Sequence, residues 1–167
     1  MRFIVHPDGR LVAGDRVFPC VLGKGGIRAD KREGDGATPV GTFPLRRVLW
    51  RPDRRDAPPA TRLPTERIGP DDGWCDDPRH ADYNRPVRLP FAASHEKMWR
   101  EDRLYDVVVV IGHNDDPPVP FAGSAVFMHL ERPERSPTEG CVALAPADME
   151  AFLAMAAPGD EIEVLAP

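Results

Sequence analysis

Apolar and polar positions alternate along the chain in three different rhythms. From Met1 to Lys24 the rhythm is short: "RFIV", a Pro-Asp-Gly turn in "HPDGR", then "LVA", "GD" and "RVFPCVLG". Brief β-type runs parted by turn residues predict a meander of two or three strands. The glycine-rich polar stretch "KGGIRADKREGDGATPVGTFP" at 24–44 predicts a long loop that ends on a new strand, "GTFPLRRVLW". The clearest strand is "YDVVVVIGHN", where four consecutive valines and Ile111 predict burial on both faces. "GSAVFMHL" at 123–130 is another β-type run. Beyond Pro146 the rhythm turns helical, with Met149, Phe152, Leu153 and Ala156 on one stripe and Pro146 suited to the first turn. "APGD" then stops the helix and "EIEVL" closes as a strand. Between these regions, residues 51–103 hold many of the prolines and much of the charge. There only "AASHEKMWRED" at 92–102 reads as helix, with Ser94 as a cap and Glu96 in the first turn.

These elements predict one mainly β domain over residues 1–167: a mixed β-sheet sandwich with one or two peripheral helices. No internal repeat or linker divides it. A chain of 167 residues is long enough for a real hydrophobic core. Its 20 prolines and 14 glycines argue for loops and against a helical bundle. Net charge is −5 and no long Lys/Arg run occurs, which excludes a nucleic-acid track. No window approaches the roughly 18 apolar residues of a membrane span. "MRFIVHPDGR" lacks the long apolar stretch and small-residue cleavage site of a secretory signal. The expectation is a cytoplasmic protein, or one whose export signal lies outside this sequence.

Three cysteines cannot all pair within the chain. Cys20 falls in the strand-like "RVFPCVLG" and reads as a packed thiol. Cys75, in the acidic turn "DGWCDDP", reads as unreactive because neighbouring aspartates disfavour a thiolate. Cys141, in "SPTEGCVALAP", is the open question: packed thiol, disulfide half, metal ligand or nucleophile. A nucleophilic thiol needs a base and oxyanion donors. His113 and His129 each end a β-run, where a side chain is held rigidly yet can face a cleft; His6, His80 and His95 offer no such setting. Backbone N–H groups at Gly140 and Cys141 suit an oxyanion. A Gly-Cys dipeptide before an apolar run nevertheless fits a tight turn into a core strand better, taken alone. A zinc set of Cys141, His129 and His113 with Glu139 or Asp115 lacks the usual short ligand spacing. Arg54, Arg55, Arg62, Arg67, Arg79, Arg85 and Arg88 read as a solvated surface, unless one or two bind a substrate carboxylate.

Two separated stretches change the balance. "EGDGATPVGTFPL" (33–45) resembles the "DG-x-TP-x-G-x-F" segment of the YkuD-type L,D-transpeptidase catalytic domain. "GSAVFMHLERPERSPTEGCVAL" (123–144) resembles that family's catalytic segment, a strand histidine followed after a loop by Ser/Thr-x-Gly-Cys. The resemblance implies a mostly β domain acting on peptidoglycan stem peptides, through a thioester and without metal or cofactor. It implies Cys141 as nucleophile, His129 as general base, and Gly140 shaping the oxyanion turn with the Cys141 N–H. Thr138 takes the motif's Ser/Thr position.

The chain also departs from the family pattern. Glu139 stands where His is common, and Ala143 where Arg or Asn is common. Glu139 puts a negative charge beside a thiol that should ionise. Arg79 or Arg85 is the expected substitute for the missing cation at 143, and His113 is expected to line the same cleft. Thr138, Glu139, His113, Arg79 and Arg85 therefore form the expected substrate-binding set. The expected partners are peptidoglycan stem peptides or muropeptides, with carbapenem β-lactams as inhibitors, and the expected state is a monomer. Three functions follow: cross-linking with an amine acceptor, trimming of tetrapeptides with water, or an inactive wall-binding module. The first belongs to the cell envelope or periplasm, the second to cytoplasmic muropeptide recycling.

Overall fold

The structure, a computed structural model, describes residues 1–167. The predicted meander forms: β1 (Arg2–His6), β2 (Arg10–Ala13) and β3 (Arg16–Val21) pair antiparallel in sequence. After the short parallel pair β4 (Ile27–Arg28) and β5 (Thr38–Pro39) comes the ten-residue β6 (Gly41–Trp50). The segment 51–106 adds β7 (Thr65–Arg67) and a small sheet of β8 (Asp72–Cys75), β9 (Pro86–Arg88) and β10 (His95–Lys97). The chain then runs through β11 (Val107–Ile111), β12 (Phe127–Leu130), β13 (Val142–Leu144), α1 (Pro146–Met155) and β14 (Glu161–Val164).

Two mixed sheets share β3 and β6. Arg16–Pro19 of β3 pairs with β2, whereas Cys20 and Val21 pair with β13. Gly41–Pro44 of β6 pairs with β14, whereas Leu45–Trp50 pairs with β11. One sheet thus runs β3-β2-β1-β14-β6 and the other β3-β13-β12-β11-β6-β7, closing a ring. A bulge helps β6 serve both: Ile111 lies opposite Leu45 and Val110 opposite Arg47, so Arg46 is the extra residue. Leu45 and Val48 both reach the core as a result.

β11 is buried on both faces, as its valine run predicts. Val107, Val109 and Ile111 join the core between the sheets. Val108 and Val110 face a second cluster with Leu49, Trp74, Tyr105, Phe127 and Cys141. That outer face is covered by the 51–106 excursion, so the sheet is sandwiched on each side. α1 begins at Pro146, whose ring presets φ where no N–H is needed, and follows the predicted stripe. Met149, Phe152 and Leu153 are fully buried, and the Phe152 ring meets Phe3 at 4.5 Å.

The helix expected at 92–102 is absent, and α1 is the one helix. His95–Lys97 instead pairs antiparallel with Gly73–Cys75. Ladder bonds to β8 replace local helical ones, and the Glu96 side chain gains Tyr105 as a partner. Tertiary pairing overrides a weak local propensity there. Cys20 is a buried free thiol, as its strand-like context implied, and Cys75, read as lying in an acidic turn, is a buried free thiol at the end of β8. Burial pushes Cys20 up to about 12 and also raises Cys75, with Asp77, Asp76 and Asp82 adding to the latter.

Phe152→Ala is expected to destabilise the fold by about 3–5 kcal/mol, since it empties a closed aromatic contact. Urea denaturation followed by fluorescence measures this directly.

Candidate active site

Side-chain alternation along two paired strands assembles the site. β12 and β13 run parallel, with Met128 opposite Val142 and His129 opposite Ala143. Met128, Leu130, Val142 and Leu144 point into the inner core. Phe127, His129, Cys141 and Ala143 therefore share the outer face. His129 and Cys141 both line a cavity of about 370 Å³ on that face. The Cys141 thiol donates to the Ala125 carbonyl and accepts from the Phe127 N–H, each at 3.3 Å. His129 Nδ1 lies 2.8 Å from the Leu130 carbonyl, which makes Nδ1 the protonated nitrogen and leaves Nε2 free for a proton.

The turn that presents Cys141 is locked by one hydroxyl. Thr138 Oγ1 donates to the Cys141 carbonyl at 2.7 Å and accepts from the Gly140 N–H at 3.1 Å. Gly140 has φ +127°, and a Cβ there would meet the Ala37 carbonyl oxygen at 2.8 Å. Only glycine fits both demands. The two stretches singled out in the sequence are thereby in contact. Gly23 bridges to Thr138, the Gly23 N–H donates to Thr38 Oγ1 at 2.9 Å, and the Lys24 N–H donates to the Thr138 carbonyl at 2.8 Å. The "GDGATP" segment is the floor on which the Gly-Cys turn rests.

The Gly140 N–H is thus already committed, in contrast to the oxyanion role expected of it. The Cys141 N–H has no acceptor within the protein and remains available. Gly140 contributes backbone shape; Thr138 lines the cavity but spends its hydroxyl on the turn. Glu139 stands at the mouth, exposed, and pairs with Lys24 at 2.8 Å.

His113, Arg79 and Arg85 do not line this cavity. His113 packs edge-on to Phe43 and its Nε2 lies 3.2 Å from the Ala122 carbonyl. Arg79 lies over Phe121, and Arg85 borders a separate small pocket that also includes His113. The cations at the cavity are Lys31, Arg100 and Arg132. Lys31 is buried and ion-paired with Asp35; Arg100 grips Asp102 through two bonds at 2.8 and 2.7 Å. Glu33, Glu96 and Tyr105 also line it, and sequence reasoning missed all of them. The signals existed: Lys31 and Asp35 sit four apart in the loop, and Glu96 and Met98 flank the exposed Lys97 two residues apart, as residues on one strand face do.

No group of three or more His, Cys, Asp or Glu residues is arranged to hold a metal ion. Burial shapes the electrostatics instead. It lowers His129 to about 4, helped by Arg100 and Arg132 and opposed by the Leu130 carbonyl and Asp102. It lifts Cys141 to about 12, with Glu96 and Glu139 adding; the Phe127 N–H and Lys31 oppose it. Thiol and imidazole rest as a neutral pair.

The fold is thus a two-sheet β domain that brings a thiol and an oriented imidazole to one cavity. A family model, the YkuD L,D-transpeptidase catalytic domain, matches residues 2–164. The chain belongs to that family. No curated protein matches it. Among solved structures, L,D-transpeptidase 1 of Mycobacterium tuberculosis is similar at 14% identity and TM-score 0.45, over 99% of this chain and 58% of that one. An L,D-transpeptidase from Mycobacterium smegmatis is similar at 15% identity and TM-score 0.46, over 99% and 58%. The chain thus spans 58% of the length of each.

The buried neutral imidazole makes stability pH-dependent. The unfolded chain takes the proton near the ordinary 6.5, the folded one only near 4. Between those values the unfolded state binds more protons, so stability falls as pH falls. His129→Gln is expected to remove up to about 3 kcal/mol of that acid sensitivity. Urea titrations of both proteins at pH 7 and 4.5 compare it.

Proposed function

We propose that the protein is a peptidoglycan L,D-transpeptidase with Cys141 as nucleophile and His129 as general base. Its donor is a tetrapeptide stem, cleaved between an L-centre and the D-residue that follows. The observation that carries this reading is the strand register, which brings Cys141 and His129 to one cavity with Nε2 as the free nitrogen.

The proton of Sγ passes to His129 Nε2 as sulfur attacks the carbonyl carbon. Neither ion is stable alone in this buried site, so transfer and attack proceed together. The Cys141 N–H receives the oxyanion. As the C–N bond breaks, His129 returns the proton to the departing D-amino acid, and a thioester remains. The amine of a second stem then attacks the thioester, His129 takes its proton, and sulfur leaves and is reprotonated. The product is a cross-link between two stems. No cofactor enters the scheme. A cross-linking role places the protein in the cell envelope, acting as a monomer, and a carbapenem would acylate the same sulfur.

Incubation with a disaccharide-tetrapeptide, followed by mass spectrometry, is expected to yield cross-linked dimer. Tripeptide alone would assign water as acceptor and make the enzyme an L,D-carboxypeptidase. Cys141→Ala is expected to abolish either product; an active variant would sink the nucleophile assignment. A carbapenem is expected to add its mass to Cys141 and to neither Cys20 nor Cys75.

A further inference from the structure

One wall of the cavity comes from the segment between β10 and β11 together with Glu96 of β10. It holds an acid and a phenol in direct contact: the Tyr105 hydroxyl donates to Glu96 Oε2 at 2.6 Å. The Tyr105 ring is buried and meets the His129 imidazole edge-on, with centroids 5.5 Å apart and planes at 63°. Its other neighbours hold it in place. Phe127 packs at 5.9 Å, and the Arg100 guanidinium lies 5.1 Å from the ring centre. The Leu130 N–H donates to the Leu104 carbonyl at 3.0 Å, tying this segment to the residue after His129.

We propose that Glu96 and Tyr105 form a positioning pair for His129, fixing the imidazole plane and stabilising its protonated form during acyl transfer. The proposal rests on the reading of Cys141 and His129 as the catalytic pair. Neither Glu96 nor Tyr105 takes part in a bond-making step, and the thiol proton stops at His129 Nε2.

The physical argument has two parts. The Leu130 carbonyl ties Nδ1, and the Tyr105 ring packs against the imidazole held by that bond. Orientation of this kind is what an acid–base group needs from its surroundings. Protonation is the second part. His129 is buried, and Arg100 and Arg132 both face it, so its cation is disfavoured; Asp102 is the acidic group opposing them. A phenol bonded to a carboxylate carries more electron density on its ring, which favours a neighbouring cation. Glu96 acts on His129 through Tyr105 in this way. Loss of solvation holds the Glu96 carboxyl above its ordinary range, while the bond from Tyr105 and the charge of Arg100 pull it down.

The direct effect of Glu96 on the thiol has the opposite sign, and this makes the proposal testable. A negative charge near Cys141 opposes the thiolate. If Glu96 acted on sulfur alone, Glu96→Gln would ease ionisation. If it acts through Tyr105 and His129, the same change hinders it. The test is the rate of Cys141 alkylation by iodoacetamide against pH, with kcat and KM for tetrapeptide turnover, on the full chain. Glu96→Gln and Tyr105→Phe are each expected to move the alkylation profile to higher pH. Each is expected to lower kcat about 10- to 100-fold with KM unchanged. The double variant is expected to be no worse than the worse single one, as for residues acting as a unit.

A downward shift for Glu96→Gln, profiles that superimpose on wild type, or losses that multiply would overturn the proposal. If Glu96→Gln does not fold, Tyr105→Phe decides by the same criteria, since it keeps the buried ring and removes only the bond. His129→Ala separates the two levels of inference. If its alkylation profile matches wild type, the catalytic pair itself fails. If it shifts while Glu96→Gln and Tyr105→Phe do not, only the positioning pair fails.

Discussion

β12 and β13 lie side by side in parallel, with His129 opposite Ala143. Parallel strands alternate their side chains between faces, so this register decides which chemistry meets which environment. Met128, Leu130, Val142 and Leu144 fill the core between the sheets, and His129 and Cys141 face outward. A slip of one residue on either strand would send His129 or Cys141 into the core and an apolar core side chain into the cavity. Burial on the inner face pins the register. The thiol and the imidazole are thus positioned by the apolar packing of the opposite strand face.

The outer face would be open to water if the chain returned directly from β6 to β11. The 51–106 excursion covers it instead, bringing Trp74, Met98 and Tyr105 over Phe127 and Val110. This cover keeps thiol and imidazole neutral at rest, with Cys141 near 12 and His129 near 4. The proposed chemistry then depends on groups that favour the ion pair only as it forms: the Phe127 N–H on sulfur, the Leu130 carbonyl on Nδ1, and the free Cys141 N–H. These are backbone groups, already oriented and costing no reorganisation. Rigidity at the turn comes from Thr138 and from the close approach of Gly23 and Gly36 beneath it.

Several elements were legible because their signals are local. The β11 valines, the stripe from Met149 to Ala156 and the N-terminal meander all fold as their periodicity dictates. The stretch 92–102 was misread because its alternation is short and its partner, β8, lies some twenty residues upstream. That error hid Glu96 and Arg100 from the site. His113 was expected at the cavity because it ends a strand, and Arg79 and Arg85 as substitutes for the cation missing at position 143. The structure puts them across β11 or on the surface, with Arg100, Arg132 and Lys31 at the cavity.

The pairing of Cys141 with His129 was implied by the resemblance of two separated stretches to a known family; by itself the sequence determined the fold class, the course of its strongest strands and its C-terminal helix. Those features rest on periodicity and on residue types confined to short windows. Only the tertiary structure decided that the Gly140 N–H is spent on Thr138, that Glu139 pairs with Lys24, and that Tyr105 meets His129. Each is a contact between segments whose meeting is set by strand pairing and core packing. Such contacts leave no trace in the spacing of residues along the chain.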